Sequence, residues 1–339
     1  MHINVTIILN CMIKKSLKKI FIKISRLLGY EIIDQNNFLS PTLNKQLNEN
    51  LSKFNEKSIV LPLGEVEISR SVKSLLIVFR TNSNIEIWDQ NKKRIFEEKK
   101  IVYIEKSLNS LVKSILLSNK KIPSLDIKLL ILDDNSSYEN LKKIKNILEK
   151  KQINYELINH DIHKYKSLIN KQKTKDTFSN LSSLLTSFNL GKDNCKDLVF
   201  FVEDDYLHFE DMIIEVVKTF ERISSQLGKD IFICPSDYPY LYTNNEKTNV
   251  LIGDSRHWRT INKSLCTFLT SKKLLDKYWK YFENNCLDRH DPFEKYLNEI
   301  YDKELCISPI NSLSLHMTNI NSSYGLSPFV DYKKLWDEN

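Results

Sequence analysis

Three consecutive carboxylates, Glu203-Asp204-Asp205, follow the apolar run Leu198 to Val202. At the end of a buried strand they repel one another, and a cation beside them relieves that repulsion. Strand alternation puts Glu203 and Asp205 on one face and Asp204 on the other. Two carboxylates sharing a face suit Mg²⁺ or Mn²⁺, which take one or two protein carboxylates and fill their shell with phosphate oxygens. Two more apolar runs end in polar chemistry: Arg80-Thr81-Asn82 follows Leu75 to Phe79, and Asp133-Asp134-Asn135-Ser136 follows Ile127 to Leu132. The second group reads equally well as a turn or helix cap, because Asp, Asn and Ser satisfy free backbone N–H groups.

The last third of the chain mixes aromatic and charged residues, as in Asp237-Tyr238-Pro239-Tyr240, His257-Trp258-Arg259 and Asp288-Arg289-His290-Asp291-Pro292-Phe293-Glu294. Such mixtures suit a sugar, whose ring has an apolar face and a rim of hydroxyls. The alternative is that the tyrosines and Trp258 fill a satellite core. Asp291-Pro292 has the form of an N-cap followed by proline in the first helical turn. His316, between apolar neighbours in SLSLHMTN, has the setting of a satisfied core histidine. His160 and His163 are expected at the surface.

These residues need elements to position them. Apolar or β-branched runs at 75–79, 101–104, 127–132, 155–158, 198–202 and 231–234 predict strands. Between them, 107–118, 139–151, 177–189 and 209–227 carry helical periodicity, and Gly228 ends the last. The alternation predicts an α/β fold, a mostly parallel sheet flanked by helices, over residues 70–339. In such a sheet ligands bind beyond the carboxyl ends of the strands, where the polar groups above would lie. No Gly-rich phosphate loop follows an early strand, which argues against dinucleotide-binding, Walker-type and methyltransferase sites.

The order and spacing of these segments resemble a GT-A-fold glycosyltransferase of the family 2 type. The likeness spans about residues 72–330 and rests on Arg80-Thr81, the helix SLNSLVKSILL, the strand end LLILDDNSS and the acidic strand end VFFVEDDYL. It implies that Asp133 and Asp134 meet the nucleotide of a nucleoside-diphosphate sugar, with Arg80, Thr81, Glu203 and Asp204 around the donor. The family's Asp-x-Asp metal motif falls on Glu203-Asp204-Asp205, with Glu in place of the usual first Asp; Asp205 is the expected ligand and His316 a further one. Mn²⁺ or Mg²⁺ is the implied cofactor. The catalytic base is expected at Asp291, with Glu294 and Asp288 as alternatives. Asp237, Tyr238, His257, Trp258 and Arg259 are expected to bind the acceptor, a glycan or lipid-linked hydroxyl in cell-surface glycan synthesis. Two rival readings are a nucleotidyltransferase acting on a sugar phosphate and a non-catalytic sugar-binding protein with a degenerate transferase fold.

The remaining information is in the charge. The chain of 339 residues carries +7, but residues 1–30 hold Lys14, Lys15, Lys18, Lys19, Lys23 and Arg26 and no acid, leaving 44 basic against 43 acidic residues in the body. A balanced body does not point to nucleic acid. Within 1–33, Ile13, Leu17, Ile20, Phe21, Ile24, Leu27 and Leu28 share one helical face, and Gly29 is placed to end the helix. This basic amphipathic helix suits either the anionic surface of a membrane or docking on a protein surface. Residues 34–69 read as a polar linker and lead-in, and Met12 is an alternative start to Met1. The basic residues follow the apolar stretch 3–13, the reverse of a secretory signal. Six scattered cysteines without C-x-x-C spacing fit a reducing cytoplasm.

Overall fold

The computed structural model describes residues 17, 20–30, 32, 57–60, 64–84, 95–169, 174–243, 247–318, 320 and 322–339. The expectations for Cys11, for an alternative start at Met12, for the first turns of the N-terminal helix and for most of the linker lie outside these residues. The chain divides into two compact units, Met1–Glu49 with Leu61–Gly64, and Asn50–Val60 with Glu65–Asn339.

In the first unit residues 20–27 are helical, and Gly29 follows with φ +82°, the left-handed conformation expected at a helix end. The side chains of Ile20, Phe21, Ile24, Leu27 and Leu28 are all exposed. Among the described residues no helix is long and apolar enough to cross a membrane.

The second unit is built on a nine-stranded sheet. Its strands are β1 (Ser74–Thr81), β2 (Asp126–Asp133), β3 (Tyr155–Asn159), β4 (Leu198–Glu203), β6 (Phe232–Ile233), β7 (Val250–Ile252), β8 (His257–Ile261), β9 (Phe268–Ser271) and β10 (Cys306–Pro309). The order across the sheet is β3-β2-β1-β4-β9-β6-β10-β8-β7. Only β8 and β9 run against the rest, so seven of the nine strands share one direction. A separate two-stranded ribbon pairs β5 (Tyr206–His208) with β11 (Ser314–His316).

The central strands are apolar on both faces because helices cover both, as parallel sheets require. On one face α1 (Lys100–Lys121), α2 (Tyr138–Lys150) and α4 (Met212–Leu227) pack their Ile, Leu and Val stripes against Ile77, Phe79, Ile131 and Phe200. On the other, α3 (Lys175–Asn194) and the short helices α5 (Lys272–Lys277), α6 (Trp279–Asn285) and α7 (Lys295–Tyr301) cover Val78, Leu130, Val199 and Phe201. Gly191 of α3 lets that helix lie against β4, since a Cβ there would stand 2.5 Å from the Phe201 ring. A third cluster joins Tyr103, Leu207, Leu315 and Met317 to Leu335 and Trp336 of α8 (Tyr332–Asp337), behind the ribbon.

Two sequence expectations are corrected. The run Ile101 to Ile104 is the first turn of α1, and Ile101, Ile104, Leu108, Leu111, Val112 and Ile115 all sink into one core at helical spacing. Asp291-Pro292 does not cap α7, which starts at Lys295 with Glu294 at its N-cap.

Candidate functional site

The sheet topology brings the carboxyl ends of β1, β2 and β4 side by side, with Thr81 opposite Asp133 and Arg80 opposite Glu203. Of the expected donor residues, Arg80, Thr81, Asp133, Asp134, Glu203 and Asp204 therefore share one edge. Arg80 donates to Glu203 Oε1 at 2.8 Å and to Asn180 Oδ1 at 2.6 Å, fixing its guanidinium between β4 and α3. Burial pushes the Glu203 carboxyl above its ordinary range, with Arg80 opposing and Asp205 adding to the rise.

Asp204 lies on the opposite face and takes the Asn82 backbone N–H at 2.9 Å, with Lys100 Nζ 3.4 Å away. Asp134 is buried, accepts from Ser179 Oγ and Asn82 Nδ2, and is the satisfied member of its pair. Asp133 is equally buried; its Oδ2 takes the Ser136 N–H at 2.9 Å, whereas Oδ1 has no partner among the described residues. Burial first, then the neighbouring Asp134 and Asp204, raises its pKa despite Ser136. The turn reading and the site reading of Asp133 to Ser136 thus coexist: Asp133 closes a turn, and Ser137 caps α2 by accepting from Asn140 N.

The metal-motif expectation depends on the ribbon. Antiparallel pairing sets Tyr206 opposite His316, and Met317 N–H donates to the Asp205 carbonyl at 2.9 Å. Asp205 Oδ2 and His316 Nε2 stand 3.2 Å apart, and Thr318 Oγ1 donates to the same carboxylate oxygen. His316 Nδ1–H donates to the Tyr324 carbonyl at 2.9 Å, which aims Nε2 at Asp205. Burial opposes ionisation of Asp205, but His316 and Thr318 outweigh it and hold the carboxyl well below its usual range. Burial likewise lowers the pKa of His316, and Asp205 more than reverses this, so the imidazole is raised. A carboxylate and an imidazole nitrogen converging with the outer histidine nitrogen on a carbonyl fit a divalent cation. Among the described residues no three His, Cys, Asp or Glu side chains gather tightly enough to enclose a metal unaided. The pair suits an ion completed by water or phosphate oxygens.

An aromatic wall supports the pair. Tyr206 stacks on His316 with centroids 4.9 Å apart, its hydroxyl lies 2.7 Å from that of Tyr238, and Tyr238 meets Tyr324 edge to face. Tyr238 is fully buried, so it braces the site and does not offer a surface to an acceptor. Trp258 is also withdrawn: it is fully buried in the core and gives its indole N–H to Glu215. Asp237 and Arg259 pair with each other, under the Tyr242 ring, and both are buried. His257 is the exposed member of this group, at the start of β8.

Asp291 is exposed, while Glu294 is partly buried. The Cys266 thiol feels both Glu294 and Glu203: burial first, then these two charges, pushes it well up. His163 is exposed as expected, but His160 is partly buried, its N–H on the Asp133 carbonyl and Nδ1 3.1 Å from Thr186 Oγ1. Sequence reasoning missed Thr318 and Tyr324, which hold the Asp205–His316 pair; both follow His316 closely, the one signal available.

No family model and no curated protein matches the chain. Among solved structures it is similar to S. aureus TarS 1–349 (TM-score 0.33, 12% identity, 60% of this chain and 48% of that one). It is also similar to the galactosyltransferase LgtC in complex with donor and acceptor sugar analogues (0.36, 14%, 67% and 70%). A third is the mannosyltransferase PcManGT from Pyrobaculum calidifontis with GDP-Man and Mn²⁺ (0.34, 11%, 62% and 48%). The chain spans about half the length of the TarS and PcManGT structures it matches.

Proposed function

We propose that the chain is a glycosyltransferase that moves a sugar from a nucleoside-diphosphate sugar to a hydroxyl acceptor with inversion, using Mn²⁺ or Mg²⁺. The observation that carries this reading is the Asp205–His316 pair, 111 residues apart in sequence and 3.2 Å apart in space, just beyond the strand ends that carry the buried Asp133–Asp134 and the half-buried Arg80–Glu203 groups. Asp205 and His316 would hold the cation, which when bound offsets the charge of the leaving diphosphate. Asp133 and Asp134 are placed for the nucleotide, and Thr81, Arg80, Glu203 and Asp204 surround the donor's remaining groups. Asp291 or Glu294 takes the proton from the acceptor hydroxyl. The acceptor class in this reading is a glycan or lipid-linked glycan of the cell surface, and the enzyme works at the inner face of the cell membrane.

Calorimetry with UDP and GDP, with and without Mn²⁺, tests the reading. Metal-dependent nucleoside diphosphate binding that is lost in Asp205→Ala supports it; Asp205→Ala binding as well as the parent overturns the site assignment. A nucleotidyltransferase would release pyrophosphate from a nucleoside triphosphate, and a sugar-binding module would take sugar without nucleotide. Comparing Asp291→Asn with Glu294→Gln assigns the base: the variant that loses turnover while keeping donor affinity carries it.

A further inference from the structure

The N-terminal helix presents a feature that donor chemistry leaves unused. Over residues 20–28 its apolar stripe is open: Leu27 is 86% and Leu28 69% exposed, with Phe21, Ile20 and Ile24 beside them. In the sheet unit such stripes are covered, and Ile213, Val217, Phe220 and Ile223 of α4 are almost wholly buried. Lys23 and Arg26 fall between the apolar positions, and the segment 1–30 adds four more lysines without a single Asp or Glu.

We propose that this helix is a binding site for an anionic lipid bilayer, lying in the headgroup region with Phe21, Ile24, Leu27 and Leu28 inserted. Charge complementarity selects the occupant. A second copy would bring twelve cations of two acid-free segments together, with repulsion and no compensating ion pairs. An anionic surface instead attracts each cation while the acyl boundary accepts the apolar face. Among the described residues no helix is long and apolar enough to cross the bilayer. This inference does not depend on the donor site, and either can fail alone.

The test uses the full chain and sedimentation with vesicles of phosphatidylcholine, with and without phosphatidylglycerol. The expected result is binding to the anionic vesicles alone, reversed by salt. Each lysine neutralised, as in Lys19→Gln with Lys23→Gln, should weaken it roughly fivefold. Ile24→Asn with Leu28→Asn should abolish binding while the circular dichroism spectrum and urea unfolding midpoint of the same sample stay unchanged, which shows that the body is folded. Equal affinity for both vesicle types, or none for either, overturns the proposal. So does a lipid-free dimer, seen by sedimentation velocity, that Ile24→Asn with Leu28→Asn dissociates.

Discussion

His316 works as a ligand only if its outer nitrogen is held, and the holder is a backbone carbonyl. Tyr324 O receives Nδ1–H at 2.9 Å, and the next residue, Gly325, lies so close to Ile320 that a Cβ would stand 2.2 Å from its carbonyl oxygen. Backbone cannot yield as a flexible side chain does, so Gly325→Ala must displace the Tyr324–Gly325 peptide and release the imidazole. Mn²⁺-dependent nucleotide affinity should fall about 10-fold or more, the usual loss when an outer partner of a metal ligand goes; unchanged affinity by calorimetry would refute the role of Tyr324. The same histidine sets a pH dependence. A cation needs neutral His316, and Asp205 raises its pKa, so protons compete from a higher pH than for an ordinary imidazole. Metal affinity should therefore drop as pH falls through that raised value. In His316→Gln, which keeps a polar group without the titration, the remaining affinity should be flatter across the same range, and an identical pH profile would disprove the competition.

The β5–β11 ribbon is the element on which the Asp205–His316 pair depends, and it contains its own acid-sensitive point. His208, paired opposite Ser314, is buried, has Nδ1 2.7 Å from Ser314 Oγ, and leaves Nε2 without a partner among the described residues. Burial drives its pKa from 6.5 to about 3. The unfolded chain takes up a proton below about pH 6.5 that the folded chain refuses until near 3. The stability of the neutral form is thus complete above 6.5 and is lost as pH falls, by up to ~1.4 kcal/mol per pH unit. Urea unfolding at pH 7 and pH 5 should show that loss in the parent and about one proton less of it in His208→Gln; equal slopes would remove His208 from the account. The ribbon also marks where sequence reading stopped. Strands β1, β2 and β4 are long apolar runs and were legible, as was the shorter β3, and α2, α3 and α4 from their periodicity. Tyr206–His208 and Ser314–His316 are three residues each, too short for a pattern, and they exist only because each pairs with the other across more than a hundred residues. Asp205 and His316 were expected at one metal through the family resemblance; the pairing that brings them together was beyond local information. Trp258 and Tyr238 misled for the opposite reason, since an aromatic beside charges looks alike whether it faces a sugar or fills a core, and burial decides it.

At the scale of the whole molecule the two cores on either face of the sheet share its central strands, and the site occupies the edge where those strands end. Binding there should therefore stabilise the body as a unit. Outside residues 1–30 the charges nearly cancel, so no broad positive field favours a nucleoside diphosphate; in the proposed reading its affinity comes from the local donors and a cation. Ligand at a hundredfold over its Kd adds about 2.7 kcal/mol to the folded state. For a body of this size each kcal/mol moves Tm by about 2–4 °C. Nucleoside diphosphate with Mn²⁺ should thus raise Tm by roughly 5–10 °C, and either component alone by much less. Moderate salt should leave the shift nearly intact, because a buried, directly contacted anion is little screened, and Asp205→Asn should remove it. A full shift from nucleotide without metal, or one that salt erases, would mean that the ligand is held by surface charge and that the Asp205–His316 pair serves the fold rather than the donor.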